Sequence, residues 1–189
     1  MKHVKKVSKR ARVITGTSLA AAIALGGFGA YSASAADSAQ SAAPAVAAAN
    51  VKGNTTTTTT HLTIDAASKA AQAALDAAEK EGQRVSVAVV DRNGNTILTL
   101  RGDGAGPQSY EAAEKKAFTA VSWNAPTSEL VKRLENAPTL KDIPGTLFLG
   151  GGAPVTAKNA PIAGIGVAGA PSGDLDEKFA QAGVAALNG

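Results

Sequence analysis

Two pairs of acids stand three residues apart, Glu111-x-x-Glu114 and Asp174-x-x-Glu177, each in a stretch with helical periodicity. That spacing places both carboxylates of a pair on one helix face, about a turn apart. Hard oxygen donors so arranged suit Fe(III) or another hard cation, with water or a neighbouring subunit completing the coordination. The same positions fall in first helical turns, where the helix dipole favours acids by ~0.3–1 kcal/mol without any metal. Sulfur chemistry is excluded, because the chain has no cysteine and hence no disulfide, thiol switch, zinc knuckle or iron–sulfur site. No His–carboxylate–Ser set can be drawn, since His61 is the only histidine beyond the first 35 residues, and no Gly-rich loop runs into Lys-Ser/Thr as phosphate binding requires. Asp91 and Arg92 read as turn formers, and Trp123 as a packing residue or an oligomer contact.

The charge distribution bears on partners and on export. The 189 residues carry a formal charge of +4, but residues 1–35 hold 6 of the 19 Lys and Arg and none of the 15 Asp and Glu. The remainder keeps 13 basic against 15 acidic residues, a balance of −2, so the expected folded part has no basic footprint for nucleic acid. A basic start (1–12), an uncharged run (13–31) and Ala33-Ser34-Ala35 read as an export signal cut after Ala35, with a membrane anchor as the alternative. Within it, Ser8-Lys9-Arg10-Ala11-Arg12 is similar to a twin-arginine signal with Lys in place of the first Arg. Residues 36–61 are rich in Ala, Ser and Thr, with six consecutive threonines at 55–60; they bury too little to offset chain entropy and read as a flexible tether. The expected location is outside the cell, with wall association compatible.

The domain that positions the acids spans 62–189. Thr63 as N-cap, the apolar stripe Ile64, Ala67, Ala71, Ala74, Leu75 and Ala78, and Gly82 as a stop predict a helix over 63–81. Runs at 85–91 and 96–101 around Asn93-Gly94 predict a hairpin with a type I′ turn. Pro107 and Ser109 start a helix to about Val121, and Pro126-Thr127 a shorter one to about Leu134. Three further strands are expected at 145–149, 154–157 and 162–168, divided by Gly150-Gly151-Gly152 and Asn159-Ala160-Pro161, before a last helix opened by Ser172. Strands arriving in groups predict an antiparallel five-stranded sheet covered by helices, a three-layer α/β/α domain of the α+β type.

The stretches 62–74, Val87-Ala88-Val89-Val90-Asp91-Arg92-Asn93-Gly94-Asn95, Lys116-Ala117-Phe118-Thr119-Ala120, Gly150-Gly151-Gly152-Ala153-Pro154-Val155 and Ile165-Gly166-Val167-Ala168-Gly169-Ala170-Pro171-Ser172, with Asp176-Glu177 downstream, resemble the GlcG/HbpS-like family, in order and over essentially all of 62–188. The resemblance implies a profilin-like fold, haem or iron binding, and a homo-oligomer, with an octamer among the assemblies implied. With the export signal it further implies a secreted haem- and iron-binding accessory that reports oxidative stress to the extracytoplasmic domain of a sensor histidine kinase. An exported small-molecule enzyme on the same pocket is the alternative.

Haem iron is commonly ligated by His, Met, Cys or Tyr, and beyond the signal only His61 and Tyr110 remain of these. His61 sits at the tether junction, where a solvated role is the competing reading, and Tyr110 sits in a first helical turn, where packing competes. The resemblance points instead to the segment Leu140 to Gly152, in which Leu147, Phe148 and Leu149 supply apolar surface, Lys141 meets a propionate and Thr146 turns its oxygen to the iron. The same segment reads equally well as a glycine-rich turn around a core strand with Thr146 on its outer face.

Overall fold

The structure is a computed structural model that describes residues 50–188. The expected signal and the first part of the tether, 36–49, lie outside the described residues. Four strands form one antiparallel sheet: β1 (Ser86–Asp91), β2 (Thr96–Arg101), β3 (Gly152–Ala157) and β4 (Ala160–Ala168), in the order β2-β1-β4-β3. The helices are α1 (Ile64–Lys80), α2 (Pro107–Trp123), α3 (Thr127–Arg133) and α4 (Gly173–Ala185). Among the described residues no helix is long and apolar enough to cross a membrane.

Period-two alternation along the central strands divides the core into two layers. Val87 and Val89 of β1 and Ala163, Ile165 and Val167 of β4 face α1 and α4, whose contact stripes are Ala67, Ala70, Ala71, Ala74, Leu75, Ala78, Phe179 and Ala180. The opposite face presents Ala88, Val90 and Ala168 to Ala113, Ala117 and Val121 of α2. Alanine-lined helices lie close on the sheet, and β4 makes room with glycine: a Cβ on Gly164 or Gly166 would collide with the Ala117 or Ala113 carbonyl. The α/β/α layering is therefore as the sequence predicts. Thr63 caps α1 by accepting from the Ala66 amide at 3.2 Å, and Ser172 caps α4 by accepting from the Leu175 amide at 3.2 Å.

Three local expectations are corrected. The sheet has four strands among the described residues, not five, because 145–149 never joins a ladder. Gly145 turns the chain with φ +81°, the Thr146 amide bonds back to the Ile143 carbonyl at 3.3 Å, and the Leu147 amide leaves the sheet for the Thr119 hydroxyl of α2 at 2.8 Å. The β1–β2 turn is not type I′, since only Gly94 takes positive φ; its amide bonds the Asp91 carbonyl at 3.0 Å, closing the hairpin with a left-handed glycine and a register shift between Val89 and Val90. A two-residue loop with both φ positive appears instead between β3 and β4, at Lys158 (51°) and Asn159 (62°), so β4 starts at Ala160.

Candidate functional site

The solvent-facing side of α2 and the segment 145–149 that crosses it form one surface. Two open clefts share Lys115 as a wall. One, of about 250 Å³, is lined by Val90, Gly94, Thr96, Glu114, Phe118 and Gly145. The other, of about 230 Å³, is lined by Gln108, Glu111, Ala112 and Leu147. Thr146 is half-buried and itself lines neither cleft; it lies in the chain between Gly145, which lines one, and Leu147, which lines the other. Ile143 and Leu149 flank it as exposed apolar side chains, 41% and 50% accessible. The carboxylate pair of α2 and the Thr146 segment, which share no sequence motif, therefore meet on one face.

Positioning of the segment comes from α2 and from aromatic packing. Thr119, fully buried, donates to the Lys115 carbonyl at 2.7 Å and accepts from the Leu147 amide at 2.8 Å. Phe148 is buried against Trp123 in an edge-to-face contact, with centroids 5.2 Å apart and planes at 67°, beside Leu130 and Ala125. Thr146 donates its hydroxyl proton to the Ile143 carbonyl at 2.7 Å, which leaves its oxygen lone pairs as acceptors.

Around the clefts, Lys115 Nζ lies 2.6 Å from Glu111 Oε1, and its bond and charge hold the Glu111 carboxyl below its ordinary value. Glu114 accepts from the Thr99 hydroxyl at 3.0 Å. Among the described residues no three His, Cys, Asp or Glu side chains form a ready metal cage, so Glu111 and Glu114 offer only part of a coordination sphere. For a flat apolar ligand the lining residues fit: two apolar walls (Phe118 and Leu147) and one ammonium group (Lys115). Each cleft is smaller than the ~300 Å³ at which small-molecule pockets begin, so a macrocycle has to span both.

The other expected residues lie elsewhere. Lys141 is exposed and pairs with Asp142 at 3.0 Å, and it lines neither cleft. His61 lines neither cleft either; its Nε2 lies 2.6 Å from the Thr59 hydroxyl and its Nδ1 3.6 Å from Asp91 Oδ2. Tyr110 is 44% exposed on α2. Asp91 serves the hairpin turn, its Oδ1 accepting from the amides of Asn93 (2.8 Å) and Asn95 (2.9 Å). Burial alone would raise its carboxyl, but the bonds from Asn95 and Asn93 and the nearby His61 hold it below the ordinary value.

Asp174 and Glu177 do not present a surface pair. Asp174 is exposed, whereas Glu177 is buried and turned to the start of α3, accepting from the Ser128 amide (2.9 Å) and the Ser128 hydroxyl (2.6 Å). Next to it, Lys116 Nζ is sealed in the core, 2.7 Å from Asp176 Oδ2 and 3.0 Å from the Val167 carbonyl. Burial pushes the Asp176 carboxyl above its ordinary value, against the bond and charge of Lys116. The glycines 150–152 pack here rather than on a ligand: a Cβ on Gly151 would lie 2.7 Å from Lys116 Nζ. Sequence reasoning missed this pair, although Lys116 falls at helical spacing inside the stripe Ala113, Ala117, Ala120.

Comparison with known proteins identifies the family. A double mutant of Streptomyces reticuli HbpS, in which two glutamates three residues apart are replaced by aspartate, has a crystal structure 74% identical in sequence, with a TM-score of 0.74, covering 75% of this chain and 97% of that one. The crystal structure of a PduOC–haem complex is 28% identical with a TM-score of 0.63, over 68% of this chain and 96% of that one. The corrinoid adenosyltransferase PduO of Citrobacter freundii is 30% identical over 122 residues, 62% of this chain but only 36% of that protein's length. Residues 62–185 match the family model described as haem degrading protein HbpS-like, and the chain belongs to that HbpS-like family.

Proposed function

We propose that this protein is a secreted haem- and iron-binding accessory that reports haem- and iron-linked oxidative stress to the extracytoplasmic domain of a sensor histidine kinase. The observation that carries the reading is the meeting of Phe118, Leu147 and the Glu111/Glu114 pair around two clefts that share Lys115, with Thr146 in the chain between the cleft residues Gly145 and Leu147. Most of the affinity for haem would come from burial of the apolar macrocycle on Phe118 and Leu147. The Thr146 oxygen is a neutral, weak ligand, which suits capture followed by release. Bound haem supplies the redox-active iron that a chain without cysteine lacks.

Glu111 and Glu114 form the iron-ion site in this reading. They are the only Glu-x-x-Glu in the chain, and they share the three-residue separation of the two glutamates altered in the S. reticuli protein. Exposed Tyr110, Ile143 and Leu149 supply apolar contacts for a homo-oligomer.

The test has two stages. The purified chain is titrated with hemin and with Fe(III), and the apo and loaded forms are then offered to the extracytoplasmic domain of a candidate kinase. The reading expects the loaded and apo forms to differ in kinase affinity. Equal affinities with every ligand would remove the sensor role, and failure to bind hemin would remove the reading altogether.

A further inference from the structure

The proposed haem surface has one cation to offer a carboxylate-bearing ligand, and a carboxylate of the same helix already holds it. Among the described residues lining the two clefts, Lys115 is the only basic one. Its ammonium is 41% exposed and lies 2.6 Å from Glu111 Oε1, while Glu111 itself is 72% exposed. A partly exposed i,i+4 pair of this kind is weak, so a second anion can compete for the ammonium. Glu111 and Glu114 would otherwise repel an anionic ligand from the clefts that they line.

Resting on the haem reading above, we propose that Lys115 is the propionate-binding residue of this surface, and that Glu111 restrains it by occupying the same ammonium in the absence of ligand. A propionate entering either cleft exchanges one carboxylate partner of Lys115 for another. The ammonium stays charged throughout, and affinity is set by how firmly Glu111 holds it. Lys141, already paired with Asp142 outside both clefts, does not take this role.

The experiment compares hemin with hemin dimethyl ester, whose propionates carry no charge, by absorbance titration of the 189-residue chain. Lys115→Gln should weaken hemin binding about two- to five-fold, the range for a partly exposed ion pair, and leave the dimethyl ester unaffected. Glu111→Gln should tighten hemin binding by a similar factor, and that gain should shrink in the Lys115→Gln background to what relief of direct repulsion supplies. Both side chains are solvent-facing, so the variants fold. Hemin binding unchanged by Lys115→Gln would overturn the assignment while leaving the haem reading intact. An equal gain from Glu111→Gln with and without Lys115 would overturn the restraint. No hemin binding by the unaltered chain would remove the haem reading and this proposal together.

Discussion

The Leu147 amide donates to the Thr119 hydroxyl at 2.8 Å, and that bond ties the segment carrying Thr146 to the helix carrying Glu111, Glu114 and Lys115. Thr119 thus acts as a positioning residue for the candidate haem surface.

Replacing Thr119 with valine keeps the buried volume but leaves the Leu147 amide without its acceptor. The expected cost is about 1–3 kcal/mol, read by denaturant unfolding, with weaker hemin binding and a changed Trp123 emission as Phe148 loosens. Thr119→Ser retains the hydroxyl and should restore hemin affinity. Wild-type affinity in the valine variant would show that the segment is held by other contacts.

That bond also explains what the sequence does and does not disclose. Local signals sufficed for the caps Thr63 and Ser172, the alanine stripes, the first hairpin and the layer order, because propensity and burial agree there. The run Leu147-Phe148-Leu149 has strand-like composition, yet the Phe148 ring is claimed by Trp123 and the Leu147 amide by Thr119, 28 residues away in the chain. No local pattern encodes either partner. Similarly, spacing put Glu177 beside Asp174 but not against Ser128, 49 residues earlier. The two-residue loop with both φ positive, expected at Asn93-Gly94, formed at Lys158-Asn159, where two non-glycine residues join β3 and β4 just beyond a register shift between Val155 and Thr156.

Lys116 and Asp176 form a buried ion pair whose single disruption is costly. Lys116→Met should destabilise the domain by about 3–5 kcal/mol because Asp176 is left as a buried unpaired charge. The double variant Lys116→Met with Asp176→Leu should recover much of that loss. Chemical denaturation of the three variants distinguishes these outcomes; equal losses in the single and double variants would show that the pair organises more than its own charges.

Acid should weaken the fold partly through Asp91. Its folded value lies below the ordinary 3.8, so its stabilising contribution is complete above 3.8 and is lost as pH falls through the lower folded value. Asp176 acts in the opposite sense: its folded value is raised, so its contribution is complete below 3.8 and is lost as pH rises from there through the higher folded value. Melting temperatures between pH 5 and pH 2 should therefore fall less steeply in Asp91→Asn than in the parent chain. Parallel profiles would assign the acid transition to other groups.

The most direct measurement is a hemin titration of the chain and of Thr146→Ala, following the Soret band and Trp123 emission together. The account predicts a saturable Soret band with quenching of Trp123, which packs on Phe148 two residues from Thr146, and a loss or shift of that band in Thr146→Ala. A Soret band identical in both proteins, or hemin binding that leaves Trp123 emission untouched, would place the haem elsewhere on the molecule and contradict the account.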